Sequence, residues 1–172
     1  MTRKQKLVIA LVLMVLAGCM ARVYKHQGPP DEALDVPAVG APASITGEVS
    51  VRSRTGAVVK GSDSTIYLVP ATAYSTEWFD HYVVKGDGID GKDPRSFASA
   101  RAALVDGDGH FEFQSIPAGA YYLVCNVHVE RRGLRMGRLT FRLRSIETIE
   151  AYAAINAAPE QKVEVLVTRP PV

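Results

Sequence analysis

From Ser44 onward, apolar and polar residues alternate with a period of two. Ile45, Gly47, Val49 and Val51 interleave with Thr46, Glu48, Ser50 and Arg52. Successive side chains of a strand point to opposite faces, so this spacing predicts a half-buried strand. Arg54-Thr55-Gly56 predicts a turn, and Thr65 to Pro70 a more fully apolar strand. Phe97 to Val105 reads as another. Phe111 and Phe113 then alternate with His110, Glu112 and Gln114. Tyr121, Leu123, Cys125, Val127 and Val129 share one face of the next strand, with Tyr122, Asn126, His128 and Glu130 opposite. Leu139, Phe141 and Leu143 repeat the rule against Arg138, Thr140, Arg142 and Arg144, and Val163, Val165 and Val167 close the series. Short strands parted by Gly-, Pro- and Asp-rich turns predict an all-β sandwich of about seven strands over residues 44–172.

Two segments break the alternation. Ser75 to Val83 predicts a short helical insertion with Ser75 as its cap. Ile146 to Ala158 is alanine-rich and reads as a strand followed by a loop. The chain shows no repeat at solenoid spacing.

The N-terminal pattern is of another kind. Arg3, Lys4 and Lys6 precede an unbroken apolar run, Leu7 to Ala17. A spanning helix needs about 20 residues, so this shorter run fits a signal-peptide core. With Leu16-Ala17-Gly18-Cys19 at its end, it resembles a bacterial lipoprotein signal peptide. The resemblance implies removal of residues 1–18 and acyl chains, palmitate among them, on Cys19. Several chains anchor a protein to a membrane far more firmly than one. Met20 stands where an Asp would signal inner-membrane retention, which implies the outer membrane and a periplasm-facing domain. Residues 19–43 hold Gly28, Pro29, Pro30, Pro37, Gly40 and Pro42 among few large apolar residues, and predict a flexible tether. The residues from Met20 to Ala43 span about 27 Å as a coil and about 74 Å when fully extended.

Charge and cysteine content follow from that reading. The chain of 172 residues has 20 basic and 18 acidic side chains. The signal segment holds three of the basic residues and none of the acidic ones, so the cleaved chain stands near −1. Overall charge therefore gives no support to nucleic-acid binding. Lipid on Cys19 leaves Cys125 as the one remaining cysteine, so stability must come from a packed core and not from an internal disulfide.

The run Val105-Asp106-Gly107-Asp108-Gly109-His110-Phe111-Glu112-Phe113, followed by Ile116-Pro117-Ala118-Gly119-Ala120-Tyr121-Tyr122-Leu123, resembles the carboxypeptidase regulatory-like domain, a transthyretin-like (prealbumin-like) sandwich. Ile45-Thr46-Gly47-Glu48-Val49 and Tyr67-Leu68-Val69-Pro70 fit the first half of that family, and the likeness extends over about residues 44–130. It implies a non-catalytic folding, spacing or binding module and brings no active site with it. The residues account for the motif physically: Asp-Gly pairs turn the chain because glycine tolerates positive φ and Asp bonds its own backbone.

Candidate chemistry is sparse. Asp87, Asp90, Asp93, Asp106 and Asp108 lack the ligand spacing of a calcium loop, and Lys92 opposes a cation, so they read as solvated turns. His128 and Glu130 share a face but two ligands do not make a metal site, and His81 and His110 lie far away in sequence. Cys125 faces the same way as Leu123 and Val127 and reads as an inert buried thiol. No nucleophile-elbow, phosphate-loop or dinucleotide signature is present, so no catalytic residue, metal or cofactor is assigned. Two surfaces stand out. Arg138, Arg142 and Arg144 fall on one strand face within a longer arginine cluster, suited to phosphates or acidic glycans unless it is simply a solvated face. Trp78, Phe79 and Tyr82 concentrate aromatic area in the insertion, with Trp78 and Tyr82 on one side at helical spacing; they suit a sugar ring or a partner, unless they plug an end of the sandwich. The expected function is a non-enzymatic, membrane-anchored scaffold or interaction module with an envelope protein partner. The alternative is a carbohydrate- or lipopolysaccharide-binding module that uses these two surfaces.

Overall fold

Two four-stranded sheets enclose one core. The fold is known from a computed structural model that describes residues 23–25, 41–90, 99–136 and 139–169; within it, the side chains of 89–90, 131–136 and 139–145 are not described. In chain order the strands are β1 (Val23–Lys25), β2 (Ala43–Arg52), β3 (Val58–Lys60), β4 (Thr65–Pro70), β5 (Gly88–Asp90), β6 (Arg101–Leu104), β7 (His110–Ile116), β8 (Gly119–Met136), β9 (Leu139–Ala157) and β10 (Lys162–Val167). Between β4 and β5 lies a helix, α1 (Ala73–Trp78), which runs directly into a wider π-helical turn (Phe79–Val84).

In the first sheet β2 is central. It pairs in parallel with β10 and antiparallel with β7 and β3. The second sheet runs β6-β4-β8-β9, antiparallel throughout. The alternating residues meet between the sheets: Ile45, Val49 and Val51 from one, Ile66, Leu123 and Val127 from the other, each at most 1% exposed. The architecture is the all-β sandwich with a helical insertion that the spacing predicts, with eight strands in its two sheets among the described residues.

Three elements differ from the reading of the sequence. Ile146–Ala158 is not strand then loop; β9 continues to Ala157, in register with β8 from Gly119. Ala151 and Ala153 stand opposite Cys125 and Leu123, where small side chains leave room for the larger ones. The strand read as Phe97 to Val105 is shorter, Arg101–Leu104, with 97 and 98 outside the described residues. Val23–Lys25, inside the segment read as tether, forms β1 and pairs in parallel with β5.

The Asp106–His110 turn between β6 and β7 closes as its composition implies. Asp106 Oδ1 accepts the backbone N–H groups of Asp108 at 2.9 Å and His110 at 2.8 Å. These bonds, that from His110 first, hold its carboxyl below the usual range despite some opposing desolvation. Gly109 takes φ +86°, open to glycine without strain.

Candidate functional site

The insertion is built from its cap upward. Ser75 is not the cap residue. Thr72 is, and its Oγ1 accepts the Ser75 N–H at 3.1 Å while Ser75 Oγ accepts the Thr72 N–H at 2.8 Å. This reciprocal box satisfies two donors that a helix start leaves open. Ser75 Oγ also donates to the Pro70 carbonyl at 2.6 Å, which ties the helix to the end of β4.

The helix lies on the outer face of the second sheet. Phe79 and Val83, each 6% exposed, pack on Val124, with Tyr122 and Tyr152 beside them. The Phe79 ring stacks on Tyr122 at 4.1 Å between centroids and meets Tyr152 edge-on at 5.5 Å. The Tyr122 hydroxyl bonds the Thr76 hydroxyl at 2.9 Å. The aromatic side chains thus cover a sheet face and do not plug an end of the sandwich. Phe79, grouped with the candidate surface by sequence, is a buried anchor.

Trp78 and Tyr82 behave as their spacing predicts. Their rings stack at 6.0 Å with 19° between planes. Trp78 is half-buried and Tyr82 is 37% exposed, so the pair offers aromatic area at the surface. A second pair flanks the insertion: Tyr24 stacks on His81 at 3.6 Å, and its hydroxyl donates to the Glu77 carboxylate. That bond, with smaller contributions from desolvation and the carboxylate's charge, raises the Tyr24 hydroxyl above its ordinary range. His81 Nδ1 in turn lies 3.0 Å from Asp87 Oδ2. The sequence shows no sign of this arrangement, because Tyr24 is 53 residues from Glu77.

Arg142 and Arg144 lie in β9, but their side chains are outside the described residues, as are Arg138 and Cys19 altogether. Asp93 is also outside them, and Asp87 is taken up by His81. His128 is exposed and bonds Thr148 Oγ1 at 3.2 Å. Cys125 is fully buried, and burial pushes its thiol up to about 11, against a weaker lowering by Ser64. Among the described residues no three His, Cys, Asp or Glu side chains converge to hold a metal.

Strand pairing also brings together residues that pattern reading keeps apart. Register places Glu164, Thr46 and Glu112 in one row across the first sheet, and Leu166, Glu48 and His110 in the next. They line an open cleft of about 870 Å³ together with Asp106 and Leu104. Lys60 neutralises Glu48 through an ion pair.

No protein-family model matches the chain, and no curated protein matches it. Among solved structures it is similar to a candidate carbohydrate-binding protein from Pseudomonas aeruginosa. The two are 26% identical, with a TM-score of 0.60 over 76% of this chain and 90% of that one. A DUF3823 family protein from Parabacteroides merdae overlaps less (13% identity, TM-score 0.34, 76% of this chain and 46% of that one). So does the minor pilin of Streptococcus agalactiae (11% identity, TM-score 0.31, 78% and 47%).

Proposed function

We propose that this chain is a non-enzymatic carbohydrate-binding module of the bacterial cell envelope, with the Trp78–Tyr82 pair as its sugar-contacting surface. The observation that carries the reading is the stacked pair held at the surface by the buried Phe79 anchor. Flat aromatic rings suit the apolar C–H faces of pyranose rings, and two locked side chains lose little entropy on binding. The likeness to the Pseudomonas aeruginosa protein supports a glycan ligand over the scaffold role. The Asp106–Phe113 and Ile116–Leu123 motifs support a carboxypeptidase regulatory-like origin for the sandwich. The Leu16–Cys19 motif supports lipid attachment at Cys19, with the domain held at the periplasmic side of the outer membrane.

Binding to an array of bacterial envelope glycans tests the assignment. Trp78→Ala should weaken the parent's best interaction at least about tenfold, or ~1.4 kcal/mol. Phe79→Ala should instead lower folding stability by about 3–5 kcal/mol. A parent protein that binds no glycan, or a Trp78→Ala variant that binds as the parent does, overturns the proposal.

A further inference from the structure

The insertion presents two side-chain pairs at helical spacing. Trp78 and Tyr82 are four residues apart, and so are Glu77 and His81, one position earlier in each case. Residues so spaced are neighbours on a helix surface, so the two pairs run as adjacent stripes. The aromatic stripe carries the proposed sugar contact. The polar stripe is covered by β1: the Tyr24 ring stacks on His81 at 3.6 Å with 16° between planes, and its hydroxyl donates to the Glu77 carboxylate. His81 is steadied by Asp87, whose Oδ2 lies 3.0 Å from its Nδ1.

These two contacts are the kind a bound sugar makes. One face of its ring rests on an aromatic plane, and a hydroxyl donates to a carboxylate. Tyr24 supplies both from a segment with little else to hold it. β1 has three residues, pairs only with β5 among the described strands, and has Val23 65% exposed. A two-stranded pairing is at best marginally stable in water. Phe79 and Val83, by contrast, fix the insertion on Val124, and Tyr24 belongs to neither buried cluster. β1 can therefore leave while the insertion stays in place.

We propose that Glu77 and His81 form the hydrogen-bonding half of the sugar site, and that Tyr24 occupies it as an internal stand-in which a glycan must displace. The inference rests on the sugar-contacting role of Trp78 and Tyr82. A ring and a carboxylate, set beside that pair and both engaged by one tyrosine of a weakly held strand, carry it. The ligand is a saccharide that sets a C–H face on Trp78 and a neighbouring hydroxyl on Glu77. Displacement makes binding and strap opening one linked equilibrium: opening β1 tightens the glycan, and the glycan opens β1 by the same factor. The observed affinity is then the intrinsic one reduced by the open fraction.

Glycan affinity and strap position are read in one set of proteins. The probe is the best-bound member of an array of peptidoglycan fragments and lipopolysaccharide core oligosaccharides, titrated in solution. Tyr24→Ala should bind it more tightly than the parent by more than about twofold, since a closed ground state leaves fewer than half of the molecules open. Tyr24→Phe keeps the stack, loses the hydroxyl and should fall between the two. Adding Glu77→Gln to Tyr24→Ala should weaken binding about tenfold, as expected for a lost charge-assisted hydrogen bond. A nitroxide on Val23→Cys, in the full chain with Cys19→Ser, follows the strap; buried Cys125 stays unlabelled. It should be restrained when Tyr24 is present, mobile with Tyr24→Ala, and mobilised by the bound glycan. Binding that needs Trp78 but is no tighter with Tyr24→Ala overturns this inference alone. So does a nitroxide equally mobile with and without Tyr24, or an affinity that Glu77→Gln leaves unchanged. A parent that binds no glycan overturns the sugar surface and this inference with it.

Discussion

Single residues set which groups can react and which only pack. Cys125 sits between Leu123 and Val127 on the inner face of β8, without exposed surface. Desolvation disfavours its thiolate and raises its pKa from 9.0 to about 11. The unfolded chain therefore loses this proton before the folded one does. Its contribution to stability is present in full below pH ~9 and is lost as pH rises towards about 11. In the Cys19→Ser protein, a thiol reagent at pH 8 should label Cys125 only after unfolding, and alkaline titration should lower the melting temperature in that window. Rapid labelling of the folded protein would contradict the packing. The burial of the thiol was legible from its place in an alternating strand. The partnership of Tyr24 with Glu77 and His81 was not, because one tyrosine within a Gly- and Pro-rich stretch carries no periodicity.

At the scale of elements, β2 organises the first sheet, and Gly47 is its tightest point. A Cβ there would fall 2.1 Å from the Val165 carbonyl oxygen and 2.9 Å from the Phe111 ring. The aromatic ring occupies the space that a side chain at this inward position would need. Gly47→Ala should thus push β10 or Phe111 away, costing about 1–3 kcal/mol. At about 2–4 °C per kcal/mol, calorimetry should register a clear fall in melting temperature; an unchanged value would mean that the pairing of β2 and β10 is looser than described. Strands with large apolar residues at every second position were readable in advance, β2, β7 and β8 among them. The second half of β9 was not, since its inner positions include Ala151, Ala153 and Ala157, and alanine signals helix or nothing. The position of the cap is hidden for a comparable reason: Thr72 and Ser75 both have hydroxyls, and only geometry shows that they serve each other.

For the whole molecule, β8 is the strand that carries the aromatic insertion: Tyr122 lies beneath Phe79, and the strand continues to Met136. The sandwich as a class was legible because alternation is local. The cleft of Glu48, Glu112 and Glu164 was not, because it depends on which strands become neighbours: β10 joins β2 across more than a hundred residues of sequence. The central claim is that sugar meets the chain at the aromatic insertion, and Trp78 is its one tryptophan. Titrating the folded protein with a glycan that it binds, while following intrinsic tryptophan emission, therefore tests the claim directly. The account predicts a saturable change in emission that follows the binding isotherm; saturating binding with the emission unmoved would contradict it.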